Sequence, residues 1–281
     1  MRGIMFLKYV EELINVGRQE YITNWENGNA KAFEQDGCYQ WMASFVEGYN
    51  QILEVGTGDG RGTLELLKRG HKVISIDENP LCLESAKTRL STQGYNVSIV
   101  KRESISVSAI SMEKCKFSYS DIGFELDETV DVYLIESDIL NDALLEKWLS
   151  NIKLDAVICW LMGTNNVRAF NDVIDPELFK TQFHYRVLVQ NAVYDLSDKI
   201  LREQGILQIV DRGFELSEND NEALIQHHKE QAETTSLKVQ ELVHTLPYKE
   251  PDNGFDVGMV YDKSHQGKQK VLQCVISSLS E

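Results

Sequence analysis

The sequence predicts an α/β protein, a mostly parallel sheet with helices on both faces. Three observations carry this. Apolar runs of strand length alternate with segments of helical periodicity from Gln51 onward. A glycine-rich turn follows the first apolar run, and the next run ends in Asp77. Two late apolar segments, Phe255 to Tyr261 and Lys270 to Ile276, flank a polar stretch and read as an antiparallel pair closing the sheet edge.

Residues 4–22 carry Ile4, Leu7, Val10, Leu13 and Ile14 at helical spacing, and the polar stretch Asn24 to Gly28 interrupts them. Ala30 to Tyr49 then bears Phe33, Tyr39, Trp41, Met42, Phe45 and Val46. Residues 1–50 are too few for a convincing independent domain and read as a helical cap on a domain spanning 51–281. Gln51 to Val55 is a buried strand, Gly60 to Arg69 a helix with Leu64, Leu66 and Leu67 inward, and Lys72 to Ile76 a second strand. Asp77-Glu78-Asn79-Pro80 stops that strand and starts a helix, since proline suits a first helical position. Leu83, Ala86 and Leu90 continue it to Gly94.

Asn96 to Val100 and Cys115 to Tyr119 read as strands, with Phe124 to Leu126 continuing a hairpin, so 96–126 looks like a β insertion. An alternative puts 96–100 in the main sheet. Val130 to Ile135 is a strong strand closed by Glu136-Ser137-Asp138, Leu140 to Leu149 a helix, and Ala156 to Met162 a buried strand before the polar loop Gly163 to Asn166. Tyr185, Leu188, Val189, Ala192, Val193, Leu196, Ile200 and Leu201 form one inward helical stripe ended at Gln204-Gly205. Ile206 to Val210 is a strand capped by Asp211-Arg212-Gly213, and 220–245 read as helical.

Composition narrows the function. With 44 acidic and 28 basic residues the formal charge is -16, which argues against a nucleic-acid backbone as partner. Five scattered cysteines lack zinc-ligand spacing and suggest reduced thiols in a cytoplasmic setting. No run reaches transmembrane length and the first residues lack a signal-peptide pattern, so no membrane partner is expected. No histidine–carboxylate cluster calls for a metal. The sequence is silent on oligomeric state.

A glycine-rich turn after a buried strand lets backbone approach a ligand and presents amides at a helix start. A dinucleotide fingerprint needs glycines at the first, third and sixth positions. From Gly56 the sixth position is Arg61, and from Gly58 it is Thr63, so neither register fits. The spacing is acidic-x-Gly-x-Gly-x-Gly, at Glu54, Gly56, Gly58 and Gly60, with Thr57 inside the loop. This segment, with Asp77 and the later Glu136-Ser-Asp138-Ile139, resembles the class I S-adenosylmethionine-dependent methyltransferases over roughly residues 51–213.

The resemblance implies a Rossmann-like, mostly parallel seven-stranded sheet with a reversed last strand. It implies S-adenosylmethionine as cofactor. The loop would hold its methionine part, Asp77 with the adjoining Glu78 its ribose, and Asp138 with Ile139 its adenine. A carboxylate can accept both hydrogen bonds of a ribose diol. Glu54 would orient the loop or meet the cofactor's amino group.

The acceptor is less well encoded. Ligands of open α/β sheets bind beyond the strand C-termini, where Trp160 and Asn165 are candidate substrate contacts. Tyr21 and Trp25, near a helix end, could stack a planar substrate or hold a cation. His184 and Tyr185 are the candidate catalytic pair, His184 as a base. In the resembled family, amino-methylating nucleic-acid enzymes carry an Asn/Asp-Pro-Pro-aromatic motif after the strand that ends at Met162, and none occurs here. The reading is methyl transfer to a small-molecule acceptor by direct displacement, with a protein methyltransferase, an aminopropyl transferase and a non-catalytic cofactor-binding or scaffold protein as alternatives.

Overall fold

A computed structural model of the chain describes residues 2–111, 113–163, 166–175, 182–251 and 267–279. The chain opens with α1 (Arg2–Asn27), α2 (Asn29–Gln35) and α3 (Cys38–Ser44). α1 runs through the stretch expected to interrupt it. Its buried stripe continues from Ile14 and Arg18 to Ile22 and Trp25, so Asn24 and Asn27 sit on the exposed face. The break comes only at Gly28.

Then follow β1 (Gln51–Val55), α4 (Arg61–Lys68), β2 (Lys72–Asp77), α5 (Pro80–Thr92) and β3 (Val97–Val100). α5 starts as its sequence demands: Pro80 fills the first turn and the Asn79 side chain accepts the Leu81 amide at 3.1 Å. β4 (Glu103–Val107) and β5 (Cys115–Tyr119) form a separate two-stranded ribbon. The partner of Cys115–Tyr119 is therefore Glu103–Val107, not the expected 124–126. Its mostly polar, half-exposed sequence gave no apolar alternation to read.

The chain continues through β6 (Val132–Glu136), α6 (Ala143–Leu149), β7 (Leu154–Trp160), a 3-10 turn at Asn166–Phe170, α7 (Gln182–Ile200) and β8 (Leu201–Phe214). β8 begins directly after α7, where the sequence suggested helix to Leu201 and a strand only from Ile206. A bulge makes this possible: the register to β7 slips between Leu154 and Ala156, and Gln204 takes a φ of 64°. Gly205 is needed there, because a Cβ would lie 2.8 Å from the Arg202 carbonyl oxygen. The strand also runs on through Asp211-Arg212-Gly213, paired with the last strand rather than stopping.

α8 (Glu218–Ala232), closed by a Ser217–Asp220 capping box, is shorter than expected. β9 (Leu237–Val239), β10 (His244–Pro247) and β11 (Lys270–Leu279) complete the chain. Leu237–Val239 and His244–Pro247 are strands where helix was expected, because each is held by pairing to the distant β11. The expected strand Phe255 to Tyr261 lies outside the described residues.

The main sheet runs β10-β11-β8-β7-β1-β2-β6-β3, with β9 also on β11. It is mostly parallel, and β11 is antiparallel to β8. Among the described residues it holds nine strands, against the seven expected. β3 extends one edge beyond β6, while β9 and β10 extend the other. Two cores flank the sheet. One packs Phe33, Met42, Leu66, Leu83 and Leu90 against Ile52, Leu134 and Ile158; the other packs Leu145, Val189, Val193 and Ile200 against Leu53, Ile135 and Val157. Each such side chain contributes roughly 1.5–3 kcal/mol when fully buried. Among the described residues no helix is long and apolar enough to cross a membrane.

Candidate active site

The C-terminal ends of β1, β2, β6 and β7 open into one cavity, roofed by Tyr21 and Trp25 of α1 and Tyr39 of α3. Its floor is the turn after β1. Gly56, Gly58 and Gly60 all have positive φ (93°, 54° and 81°), a region in which L side chains are strained. Space is also short. A Cβ on Gly60 would lie 2.8 Å from Cα of Ala86 on α5, and one on Gly58 3.0 Å from Nε1 of Trp25.

The turn is tied down on every side. The Gly58 amide donates to Oδ2 of Asp77 at 3.0 Å, and the Asn79 amide to Oδ1 at 2.9 Å. Arg89 holds Asp59 through its carbonyl (2.8 Å) and carboxylate (2.9 Å), and Arg61 pairs with the same carboxylate. Behind the loop runs a buried relay. Thr57 donates to Ser75 at 2.7 Å, and Ser75 and Thr63 both donate to Oε2 of Glu54 at 2.6 Å. Oε1 of Glu54 lies under Gly62 beside the Trp160 ring.

Glu54 and Asp77 have no cationic partner among the described ion pairs. Burial raises both carboxyls to about 7, against the hydrogen bonds that Ser75 and Thr63 give Glu54 and that Asn79 and Gly58 give Asp77. Asp138 differs. Its Oδ2 accepts from Arg168, and its Oδ1 accepts the Leu140 amide at 3.0 Å. The cap of α6 is Asp142, not Asp138.

Arg168 was invisible in the sequence, a lone cation in an irregular loop. Its buried guanidinium joins three elements, bonding Asp138 and the Tyr185 hydroxyl, approaching Oε1 of Glu78 at 4.0 Å, and lying 4.8 Å from the Tyr185 ring centroid. Arg18 is a second unforeseen residue. It grips Glu103 of β4 with two 2.8 Å bonds and the Glu78 carbonyl with one of 2.9 Å, while its own carbonyl accepts from Asn79 at 3.2 Å. α1 is thereby fastened to the ribbon and to the end of β2.

Of the residues singled out in sequence, Glu54, Gly56, Thr57, Gly58, Asp77, Glu78, Asp138, Ile139, Tyr21, Trp25, Trp160 and Tyr185 all line this cavity. Gly60 shapes the turn from outside the lining. His184 does not line it and is exposed on α7, so it sits apart from Tyr185. Asn165 lies outside the described residues. Burial holds the Tyr21 and Tyr185 hydroxyls well above the usual phenol range, so neither is a ready proton acceptor as phenolate. Met162 and Gly163 complete the β7 wall, and a Cβ on Gly163 would meet the Tyr21 hydroxyl at 2.3 Å.

Residues 52–153, from β1 to the start of β7, match the family model described as a methyltransferase domain. No curated protein matches the sequence. Among solved structures, the N-methyltransferase NodS from Bradyrhizobium japonicum is 11% identical with a TM-score of 0.44, covering 90% of this chain and 98% of its own. An S-adenosylmethionine-dependent O-methyltransferase from Thermotoga maritima is 12% identical with a TM-score of 0.41, covering 87% of this chain and 65% of its own.

Proposed function

We propose that this chain, a class I S-adenosylmethionine-dependent methyltransferase, transfers the methyl group to a small molecule. One observation carries the choice of acceptor: α1 closes over the glycine turn, bringing Trp25 against Gly58 and Tyr21 against Gly163. A roofed cavity suits a compact acceptor, whereas a protein side chain delivered on a backbone needs an open groove.

The residues fit the cofactor. Each Asp77 oxygen accepts one backbone amide, which leaves lone pairs for the two ribose hydroxyls. Glu54 spends Oε2 on Thr63 and Ser75, and Oε1 remains for the amino group of the methionine part. Positive φ at Gly56 and Gly58 brings backbone close to that part. Asp138, oriented by Arg168, and Ile139 would meet the adenine. When bound, the cofactor supplies an electrophilic methyl on a sulfonium.

The chain's own residues then bind, align and exclude water. Trp160, Met162 and Tyr21 form the wall against which the acceptor would be aligned, and Trp25 packs over Gly58. Five free, buried cysteines support a reducing, cytoplasmic setting. The helices of 1–50 act as an accessory roof on a catalytic unit of 51–281.

The test is titration with S-adenosylhomocysteine, followed by a labelled-methyl assay on separated metabolite, protein and nucleic-acid fractions. Binding with label in the metabolite fraction supports the reading. Preference for NAD, or label in protein alone, overturns it.

A further inference from the structure

The acceptor's chemistry can be narrowed by counting charge in the cavity. Five carboxylates line it, those of Glu54, Asp59, Asp77, Glu78 and Asp138. Asp59 pairs with Arg61 and Arg89, which also meet Glu34 and Glu26; Asp138 pairs with Arg168; and Glu78 lies 3.5 Å from Arg18, whose two short bonds go to Glu103. Among the described ion pairs Glu54 and Asp77 have no cationic partner. A bound S-adenosylmethionine brings a sulfonium, an ammonium and a carboxylate, a net charge of one. With that charge added, the lining still holds more carboxylates than cations. Among the described residues Arg168 is the only basic side chain in the lining, and it is committed to Asp138 and Tyr185.

Resting on the methyl-transfer reading above, we infer that the acceptor is a small amine held against the aromatic wall of Tyr21, Trp25 and Trp160. These rings line the cavity together with five carboxylates, a setting that favours a cation. An anionic acceptor would meet unpaired carboxylates and no available cation.

The chemistry agrees. The lone pair of a neutral amine forms the N–CH3 bond as the CH3–S bond breaks, and that bond's electron pair goes to sulfur. The positive charge passes from sulfur to nitrogen, which keeps its protons and leaves as an N-methylammonium ion. An acceptor that enters as an ammonium ion first gives its proton to solvent water; the transfer step itself then needs no protein base, and the acidic lining faces a cation before and after it. A neutral hydroxyl acceptor would instead have to give its proton to a base. The lining tyrosines are held protonated and His184 stands outside the lining.

The experiment uses the full chain saturated with S-adenosylhomocysteine, titrated by calorimetry with benzylamine, benzyl alcohol and benzoate, three probes of one shape and different charge. Benzylamine is expected to bind about tenfold or more tighter than either partner, the scale of a desolvated cation–π contact. Label from methyl-labelled S-adenosylmethionine, supplied with a metabolite extract split by ion exchange, is expected in the cationic pool. Benzoate or benzyl alcohol binding as tightly as benzylamine, no binding by any of the three, or label in the anionic or neutral pool overturns the amine assignment. If S-adenosylhomocysteine binds and label appears elsewhere, methyl transfer stands and only the amine falls. If S-adenosylhomocysteine does not bind, both fall.

Discussion

Gly60→Ala tests whether the glycine turn after β1 is held by close packing or only by its backbone conformation. Gly60 and Gly70 are matched in one respect and opposite in another. Both have φ near +85° (81° and 87°), yet a Cβ on Gly60 would sit 2.8 Å from Cα and Cβ of Ala86, while one on Gly70 would meet nothing within 4 Å. The left-handed conformation costs an alanine about 1–2 kcal/mol at either site. The loss of unfolded-chain freedom returns about 0.4–1 kcal/mol at either site. These contributions cancel between the two variants. What remains is the shift of α5 away from the turn, an overpacking cost of about 1–3 kcal/mol. Gly60→Ala should therefore unfold about 2–12 °C below Gly70→Ala, at roughly 2–4 °C per kcal/mol for a chain of this size class. Thermal and urea unfolding followed by circular dichroism measure this without any ligand. Equal midpoints for the two variants would refute the claim that α5 presses on the turn.

Three further outcomes follow from the site. Because burial holds Glu54 and Asp77 near 7, while bound ammonium and ribose groups favour their charged forms, S-adenosylhomocysteine should bind more tightly as pH rises from 6 to 8. The slope should reach about tenfold per pH unit for each carboxyl that must lose a proton, and calorimetry in two buffers of different ionisation heat should show proton release. In the empty protein the sign is reversed. These raised carboxyls stabilise the fold below their unfolded pKa values, and that contribution fades as pH rises through about 7. Asp77→Asn should weaken S-adenosylhomocysteine by roughly 10- to 100-fold, the scale of hydrogen bonds to a charged acceptor, with far-ultraviolet dichroism unchanged; unchanged affinity would remove Asp77 from the cofactor contacts. Arg18→Leu leaves Glu103 buried without its partner and should cost about 3–5 kcal/mol by urea unfolding. Arg18→Leu combined with Glu103→Leu should recover much of that loss, and a double variant no better than the single would deny the pair its role.

The run from Gln51 to Thr92 was legible because its signals are local: a buried strand, glycines at fixed offsets, an acidic strand end, and an asparagine–proline helix start. Asp138 and Trp160 were found for the same reason, as residues closing apolar strands. Arg168 and Arg18 were not. Their meaning lies in partners 30, 60 and 85 positions away, and no spacing rule reaches so far. β9 and β10 were misread on the same ground, since three- and four-residue strands exist only through their pairing with β11. His184 illustrates the converse error. A helix start near the strand ends suggested a cavity residue, but helical rotation turned Tyr185 inward and left His184 exposed.

Arg18 binds at once to a strand end of the sheet and to a ribbon inserted between α5 and β6. That double grip couples two segments far apart in sequence, so that neither can shift without the other. Relatives that have lost the ribbon should also have lost the cation at position 18, because a buried guanidinium without Glu103 is a burden no lineage keeps. Relatives that retain both should vary at 18 and 103 in concert.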